Sequence, residues 1–377
     1  MANIELLFYN TNMNKSIRFR IYPNTAQTIL IEKTLGCSRL IYNKGIDLRD
    51  SLYKEGISIS YYQTCVMLTS LKREPEFEFL KEVDSIALQQ SLKDLERSYK
   101  NFFAKRTGRP KFKTKHDHFQ SYRTINQNDS IRLANGRIKL PKLGFVKIKQ
   151  SMPVENIKNA TIERVPSGKY YCVLNVDFEP ELKFNKGGTI GIDVGINKFY
   201  TDSNGCSANN PGHLEKTLKS LKRQQRKLSR MCRGSKNHNK QRIKVAKLHE
   251  RIANQRNDFL QKESTKLIRE NQTICIENLN VRKMILNKRF ARNISDASWS
   301  RFFAMLEYKA SWYGCEVIKV PTIYPSSQTC SCCGYRNVKV RNLSVRSWIC
   351  PACRTRHDRD HNAAINILNK GLSLKVS

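Results

Sequence analysis

Negative charge is what this chain has least of. Asp and Glu number 32 against 68 Lys and Arg in 377 residues, a formal net charge of +36. An imbalance of that size adds nothing to fold stability and costs self-repulsion, so it points to a polyanionic partner, with nucleic acid the natural counter-charge. Hydrophobic and aromatic contents of 39% and 9% are too ordinary for a disordered basic tail. Long apolar runs are also missing: no stretch reaches the ~18 residues of a membrane helix, and no membrane partner is expected. Met1 to Asn14 lacks the basic start, apolar run and small-residue cleavage site of a secretory signal. Twelve cysteines without such a signal imply reduced thiols. Cys37, Cys172 and Cys275 stand singly in apolar stretches, as small core residues do. Internal repeats and low-complexity tracts are absent.

What is present concentrates near residue 340. Cys330-x-x-Cys333 and Cys350-x-x-Cys353, sixteen residues apart, have the spacing of a tetrahedral structural zinc site. Four thiolates leave no open position for water, so Zn²⁺ here is structural. Cys332 lies between two of these ligands as a competing thiol, and His357 is a less favoured substitute. Asp358-Arg359-Asp360-His361-Asn362-Ala363-Ala364 follows at once and opens a helix.

Along the chain, Ile17, Phe19 and Ile21 alternate with basic residues as a half-buried strand. Asn24 and Thr25 then cap a helical region reaching Phe103, with Leu88, Leu92 and Leu95 at helical spacing. Residues 100–150 hold fourteen Lys or Arg against two acids, and a hairpin signal at Asn135-Gly136. Strands follow at 145–149, 160–165 and 169–178, and a linker is read at 179–188. Residues 214–257 form a basic helical pair hinged near Gly234-Ser235-Lys236-Asn237, fifteen Lys or Arg against two acids. A further helix near Ser295 places Trp299, Phe303, Leu306 and Ala310 on one face, before a strand at 316–320.

Three acids stand out against this background. Asp193 interrupts the apolar strand Thr189–Gly195, Glu277 ends the strand Gln272–Glu277, and Asp360 opens the helix behind the cysteines. A carboxylate in a buried strand is costly unless paired or metal-bound. Taken singly each has a bland reading: a turn residue, a salt-bridge partner, a helix cap. Together, at the edges of elements in an α/β core, they can hold two Mg²⁺ (or Mn²⁺) ions for phosphodiester hydrolysis.

These residues resemble a known family. Gly191-Ile192-Asp193-Val194-Gly195, Ile276-Glu277-Asn278-Leu279 and the Asp358–Ala364 run resemble the three RuvC motifs of TnpB, a transposon-encoded RNA-guided DNA endonuclease related to type V CRISPR effectors. Phe19–Pro23, Gly36–Arg39, Tyr42-Asn43, 298–314 and Pro325–Cys330 extend the resemblance over nearly the whole chain. Arg354 departs from it, standing where the family usually places glycine.

The resemblance implies a multidomain α+β architecture. A split β-barrel (wedge) domain at 1–25 and 122–183 carries a helical recognition insert at 26–121. An RNase H-like RuvC α/β nuclease domain follows at 184–328 and 355–377, with a zinc-ribbon insertion at 329–354. It implies catalytic metal ligands Asp193, Glu277 and Asp360, a guide RNA from the transposon end, and double-stranded target DNA with a short adjacent motif. It further implies a monomer in the ribonucleoprotein, in a prokaryotic cytoplasm and associated with the nucleoid. Tyr61, Gln89 and Asn128 are candidate readers of the motif, since Gln and Asn can pair bidentately with adenine. A catalytically idle RNA-guided repressor is the rival reading, against which the intact acid set counts. A strand-joining transposase is another, and the chain shows no Tyr-His nucleophile constellation.

Overall fold

A computed structural model describes residues 13–179, 187–288 and 290–376, so most of the expected 179–188 linker lies outside the described residues. The chain separates into two compact units, 1–179 and 180–377.

The first unit starts with β1 (Met13–Tyr22), where Phe19 and Ile21 point inward as the alternation requires. Helix α1 (Thr25–Lys54) opens on a capping box: the Asn24 side chain accepts from the Gln27 amide, and the Gln27 side chain accepts from that of Asn24. Helices α2 (Tyr61–Leu71) and α3 (Ser85–Phe103) follow, with a 3-10 turn at Pro75–Lys81 between them. Leu88 and Leu92 of α3 close a small core with Cys37 and Ile41 of α1, while Leu95 packs on Tyr42 and Ile46. Then come β2 (Gln120–Ile125), β3 (Arg132–Ala134), β4 (Arg137–Leu140), β5 (Gly144–Ile148), β6 (Ile157–Arg164) and β7 (Tyr170–Phe178). The β3–β4 turn is Asn135-Gly136, both at positive φ as a two-residue hairpin needs.

These strands form one antiparallel sheet in the order β2-β6-β7-β1-β5-β4-β3. Its ladder ends at β2 and β3, so among the described residues the hydrogen bonding is that of an open sheet. Phe19, Val146, Ile162 and Leu174 make its core, and Ile31, Leu35 and Ala87 dock the helices onto it.

The second unit is built on β8 (Gly188–Val194), β9 (Lys198–Asp202) and β10 (Ser207–Asn209). Helices α4 (His213–Ser229) and α5 (Lys236–Glu270) form the basic pair, joined by Leu221, Val245 and Ile252. Helix α5 runs thirteen residues beyond the expected end at 257, because Leu260, Leu267 and Ile268 continue its apolar stripe into the main core. Next are β11 (Asn271–Glu277), α6 (Val281–Ile285), α7 (Ala291–Ala297) and α8 (Trp299–Tyr313). Phe302, not Phe303, is the fully buried aromatic of α8. Then follow β12 (Glu316–Val320), the cysteine insertion with β13 (Ser347–Ile349) and β14 (Arg356–Asp358), and α9 (Arg359–Val376).

The order β10-β9-β8-β11-β12 is antiparallel on one side of β8 and parallel on the other. Helix α9 lies very close on this sheet: a Cβ on Gly191 would come 2.2 Å from the Ala364 carbonyl, and one on Gly371 2.3 Å from the Cys275 sulfur. No helix among the described residues is long and apolar enough to cross a membrane.

Candidate metal centres

Strand register brings the first two acids side by side. Ile192 of β8 pairs with Ile276 of β11 in parallel, so Asp193 and Glu277 come next on strands about 4.8 Å apart. The third arrives through α9. Gly191 and Asp193 share one strand face, Ala364 covers Gly191, and Asp360 lies one helical turn before Ala364 on the same side. Burial raises the Asp193 carboxyl well above the usual carboxylate range, with further upward pushes from Glu277 and then Asp360; Arg359 and Arg346 oppose this. Burial alone pushes Glu277 up to about 7. Asp193 therefore feels both other acids, although among the described residues the three are not a set whose donor atoms all fall within 4.8 Å. Opposite Asp193 in the ladder, Thr201 keeps a buried hydroxyl without a hydrogen-bond partner among the described residues. An all-oxygen donor set beside an orphan hydroxyl suits a hydrated hard cation.

Sequence reasoning missed Arg346, which reaches Asp360 at 3.6 Å from the segment between the two cysteine pairs. Its carbonyl accepts from the Arg359 amide, which holds that segment against the start of α9. One arginine among so many carries no sequence signal. It also missed Ser203, whose hydroxyl accepts from the Gly191 amide and whose carbonyl meets His361 Nε2 at 3.2 Å. Ser203 thus links the strand of Asp193 to the helix of Asp360.

The sulfur donors of Cys330, Cys333, Cys350 and Cys353 all lie within 4.8 Å of one another, a cluster compatible with structural zinc. The Cys330–Cys353 and Cys333–Cys350 separations of 3.6 Å match the ~3.8 Å edge of a tetrahedron with zinc–sulfur bonds of about 2.3 Å. Hydrogen bonds from Thr355 pull the Cys353 thiol down to about 6, favouring the thiolate a metal needs. The two turns repeat one design: the Gly334 amide donates to the Cys330 carbonyl and the Arg354 amide to that of Cys350. Gly334 and Arg354 both take positive φ, 76° and 60°. That left-handed position explains why glycine is expected where Arg354 stands. Asn362 accepts from the Ser331 amide and donates to the Thr329 carbonyl, and Asn366 donates to Ser326 and Thr329. The cysteine insertion is thereby stapled to α9.

The motif-reading candidates lie in the first unit. Gln89 is exposed on α3, one turn from Lys93, whose ammonium sits 5.9 Å from the Tyr61 ring centre. Tyr61 packs half-buried on the helical core. Asn128 is exposed in a turn at positive φ. No hydrogen bond joins the three among the described residues.

On the exposed side of α4, Lys216, Lys219, Lys222, Arg223, Arg226 and Arg230 line a groove of about 1030 Å³.

Comparison with known proteins agrees with this architecture. Family models match a "Probable transposase" of the OrfB type over residues 171–288, a Cas12f1-like TNB domain over 299–367, and a "Helix-turn-helix domain" over 13–58. In this structure the last segment is β1 and the single helix α1. A protein of Streptomyces pristinaespiralis named "Putative RNA-guided DNA endonuclease" is 38% identical, covering 96% of this chain and 90% of the relative. Escherichia coli "Putative RNA-guided DNA endonuclease InsQ" is 32% identical, over 95% and 92%. The structure titled Cas12f1–sgRNA–target DNA complex superposes with a TM-score of 0.57 at 14% identity, over 95% and 99% of the two chains, a likeness of fold. The relatives matched over nearly the whole chain are named as putative RNA-guided DNA endonucleases, and their identity and coverage define its family. The chain belongs to the TnpB family.

Proposed function

We propose that this chain is an RNA-guided endonuclease that cleaves double-stranded DNA beside a short transposon-adjacent motif. A guide RNA from the transposon end supplies sequence by base pairing, while the protein grips phosphates and reads only the motif. The placement of Asp193 and Glu277 at the C-terminal ends of the adjacent inner strands β8 and β11, with Asp360 at the start of α9 and Arg346 beside it, carries this reading. The strand order, three antiparallel strands followed by two parallel ones, supports an RNase H-like RuvC domain at 184–328 and 355–377 around a zinc ribbon at 329–354. In the first unit the reading takes 1–25 and 122–183 as the wedge and 26–121 as the recognition insert. A single chain has all the parts of one active site, so a monomer in the ribonucleoprotein is expected.

The three carboxylates would hold two Mg²⁺ ions, which when bound lower the pKa of water and offset charge on the leaving oxygen. The remaining work falls to side chains. Burial and its acidic neighbours shift Asp193 towards its protonated form, and a bound cation would favour the carboxylate. Arg346 is within reach of Asp360, and its fork suits a phosphodiester oxygen once that contact is released. Cys330, Cys333, Cys350 and Cys353 would hold Zn²⁺ as a structural ion that fixes the segment carrying Arg346.

The test is cleavage of a plasmid library with randomised bases beside a fixed target, using protein copurified with its RNA, in Mg²⁺, with Asp193→Ala as control. Guide-dependent cutting next to one enriched motif, absent from the control, is expected. Guide-dependent binding without cutting would instead identify the repressor. Repeating the selection with Gln89→Ala should relax the motif; an unchanged motif removes Gln89 as a reader.

A further inference from the structure

The cysteine insertion holds a second ligand set that shares only Cys330 with the tetrahedral site. Cys330 Sγ, Cys332 Sγ and a ring nitrogen of His357 also lie within 4.8 Å of one another, and Cys330 Sγ is 3.0 Å from His357 Nε2. His357 is 6% exposed, held on β14 opposite Trp348 with ring centres 4.8 Å apart, so it faces the sulfur from a fixed position. Cys332 is exposed and takes no part in the four-sulfur cluster.

We propose that these three residues form a second site for a soft d¹⁰ cation, such as Zn²⁺ or Cd²⁺, with the Cys330 thiolate bridging two ions. The proposal rests on the reading that the four-cysteine cluster binds zinc. With metal–sulfur bonds of about 2.3 Å and metal–nitrogen bonds of about 2.0–2.1 Å, tetrahedral geometry asks for sulfur–nitrogen separations of ~3.5 Å and sulfur–sulfur separations of ~3.8 Å. The Cys330–His357 separation of 3.0 Å is about 0.5 Å short of this, so the ring would move back slightly on binding, and all three donors lie within 4.8 Å. Sulfur and imidazole donors select soft cations over Mg²⁺. Charge favours the step as well: four thiolates around one divalent ion leave two excess negative charges, which a second cation beside Cys332 offsets. Water or buffer completes its coordination, since Cys332 faces solvent.

Metal counting on the full-length chain tests this. Cys206 and Cys232, the exposed thiols elsewhere, are first replaced by serine to give the reference protein. It is then titrated anaerobically with Cd²⁺ in excess Mg²⁺, which competes for the carboxylates, and desalted, and the sum of zinc and cadmium per chain is read by mass spectrometry alongside the ultraviolet cadmium–thiolate band. Two ions per chain are expected in the reference protein, and one in Cys332→Ser and in His357→Gln. One ion in the reference protein, or two persisting in Cys332→Ser, overturns the proposal. Because Cys332 is exposed, that variant does not depend on core packing. Failure of the first site has a different signature: no zinc in the protein as purified, or no loss of an ion in Cys350→Ser.

Discussion

Adding one methyl group at Gly191 should impair the proposed cleavage more than it destabilises the fold. The added carbon would stand 2.2 Å from the Ala364 carbonyl oxygen, 2.6 Å from the Leu368 amide and 2.8 Å from Leu368 Cβ. Two of these obstacles are backbone atoms of α9 and cannot rotate away, so the helix must recede by roughly 1 Å. Overpacking of this kind costs about 3 kcal/mol, the upper end of its usual range. For a unit of this size that is a melting temperature lower by about 6–12 °C. The same shift moves Asp360 away from Asp193 and Glu277, and misplacement by about 1 Å can cost ~100-fold in rate. The assay pairs thermal melts with single-turnover cleavage of a matched target, at a temperature where Gly191→Ala remains folded. Gly371→Ala is the internal comparison, lying eleven residues beyond Asp360. Its first obstacle is the Cys275 sulfur at 2.3 Å, which Cys275→Ala removes, so the double variant should be more stable than the single losses sum to. If Gly191→Ala cleaves at the normal rate, the seat of α9 on Gly191 does not position Asp360, whatever the melting temperature does.

Arg354→Gly should stabilise the cysteine insertion by about 1 kcal/mol, because a non-glycine residue at φ 60° carries a left-handed penalty; slower zinc release to a chelator would show it, and unchanged release would remove strain as the explanation. Lys309, 5% exposed, is pushed down to about 8 by burial and then Arg269, while Gln261, Ser264 and Thr265 accept its three hydrogen bonds. The folded state sheds this proton before the unfolded chain does, so a penalty present below about pH 8 is relieved as pH climbs towards the ordinary lysine range. Wild-type stability should therefore rise relative to Lys309→Met between about pH 8 and 10, by at most ~3 kcal/mol; parallel curves in urea unfolding would contradict the assignment. Replacing Lys219, Arg223 and Arg226 of α4 together should flatten the log–log salt dependence of guide-RNA binding by about 2 units, at ~0.7 per phosphate contact on a single strand. An unchanged slope would place that RNA elsewhere.

Much of the framework was legible in local pattern. The alternation of Ile17, Phe19 and Ile21, the Asn24 cap, the Asn135-Gly136 turn and the acid inside Thr189–Gly195 each report short-range physics that the structure repeats. What escaped depends on long-range packing. Helix α5 ran past 257 because its stripe changes partner, from α4 to the sheet, without changing period. Lys309 is buried on α8 beside Leu306 and Ala310, satisfied by three acceptors on α5 that no spacing rule links to it. Arg346 and Ser203 acquire their roles only when the cysteine insertion and the β9–β10 turn close onto α9. The separation of the cysteine pairs, by contrast, shows in one dimension, since each turn is local and only the joining of two turns is not.

Helix α5 has a mechanical consequence. It is a rod of 35 residues, about 52 Å long at 1.5 Å per residue, and the chain passes from Glu270 directly into β11 with no loop between. Its last turns are clamped in the sheet core by Leu260, Leu267 and Ile268, while its first six turns or so touch mainly α4. Clamped at one end and loaded at the other, it is a cantilever with roughly 33 Å of free arm. A tilt of about 5° sweeps the basic tip through ~3 Å, yet at the clamp it becomes a small torque on the strand that ends in Glu277. Large travel at the charged end and fine movement at the acid are thus two readings of one stiff beam.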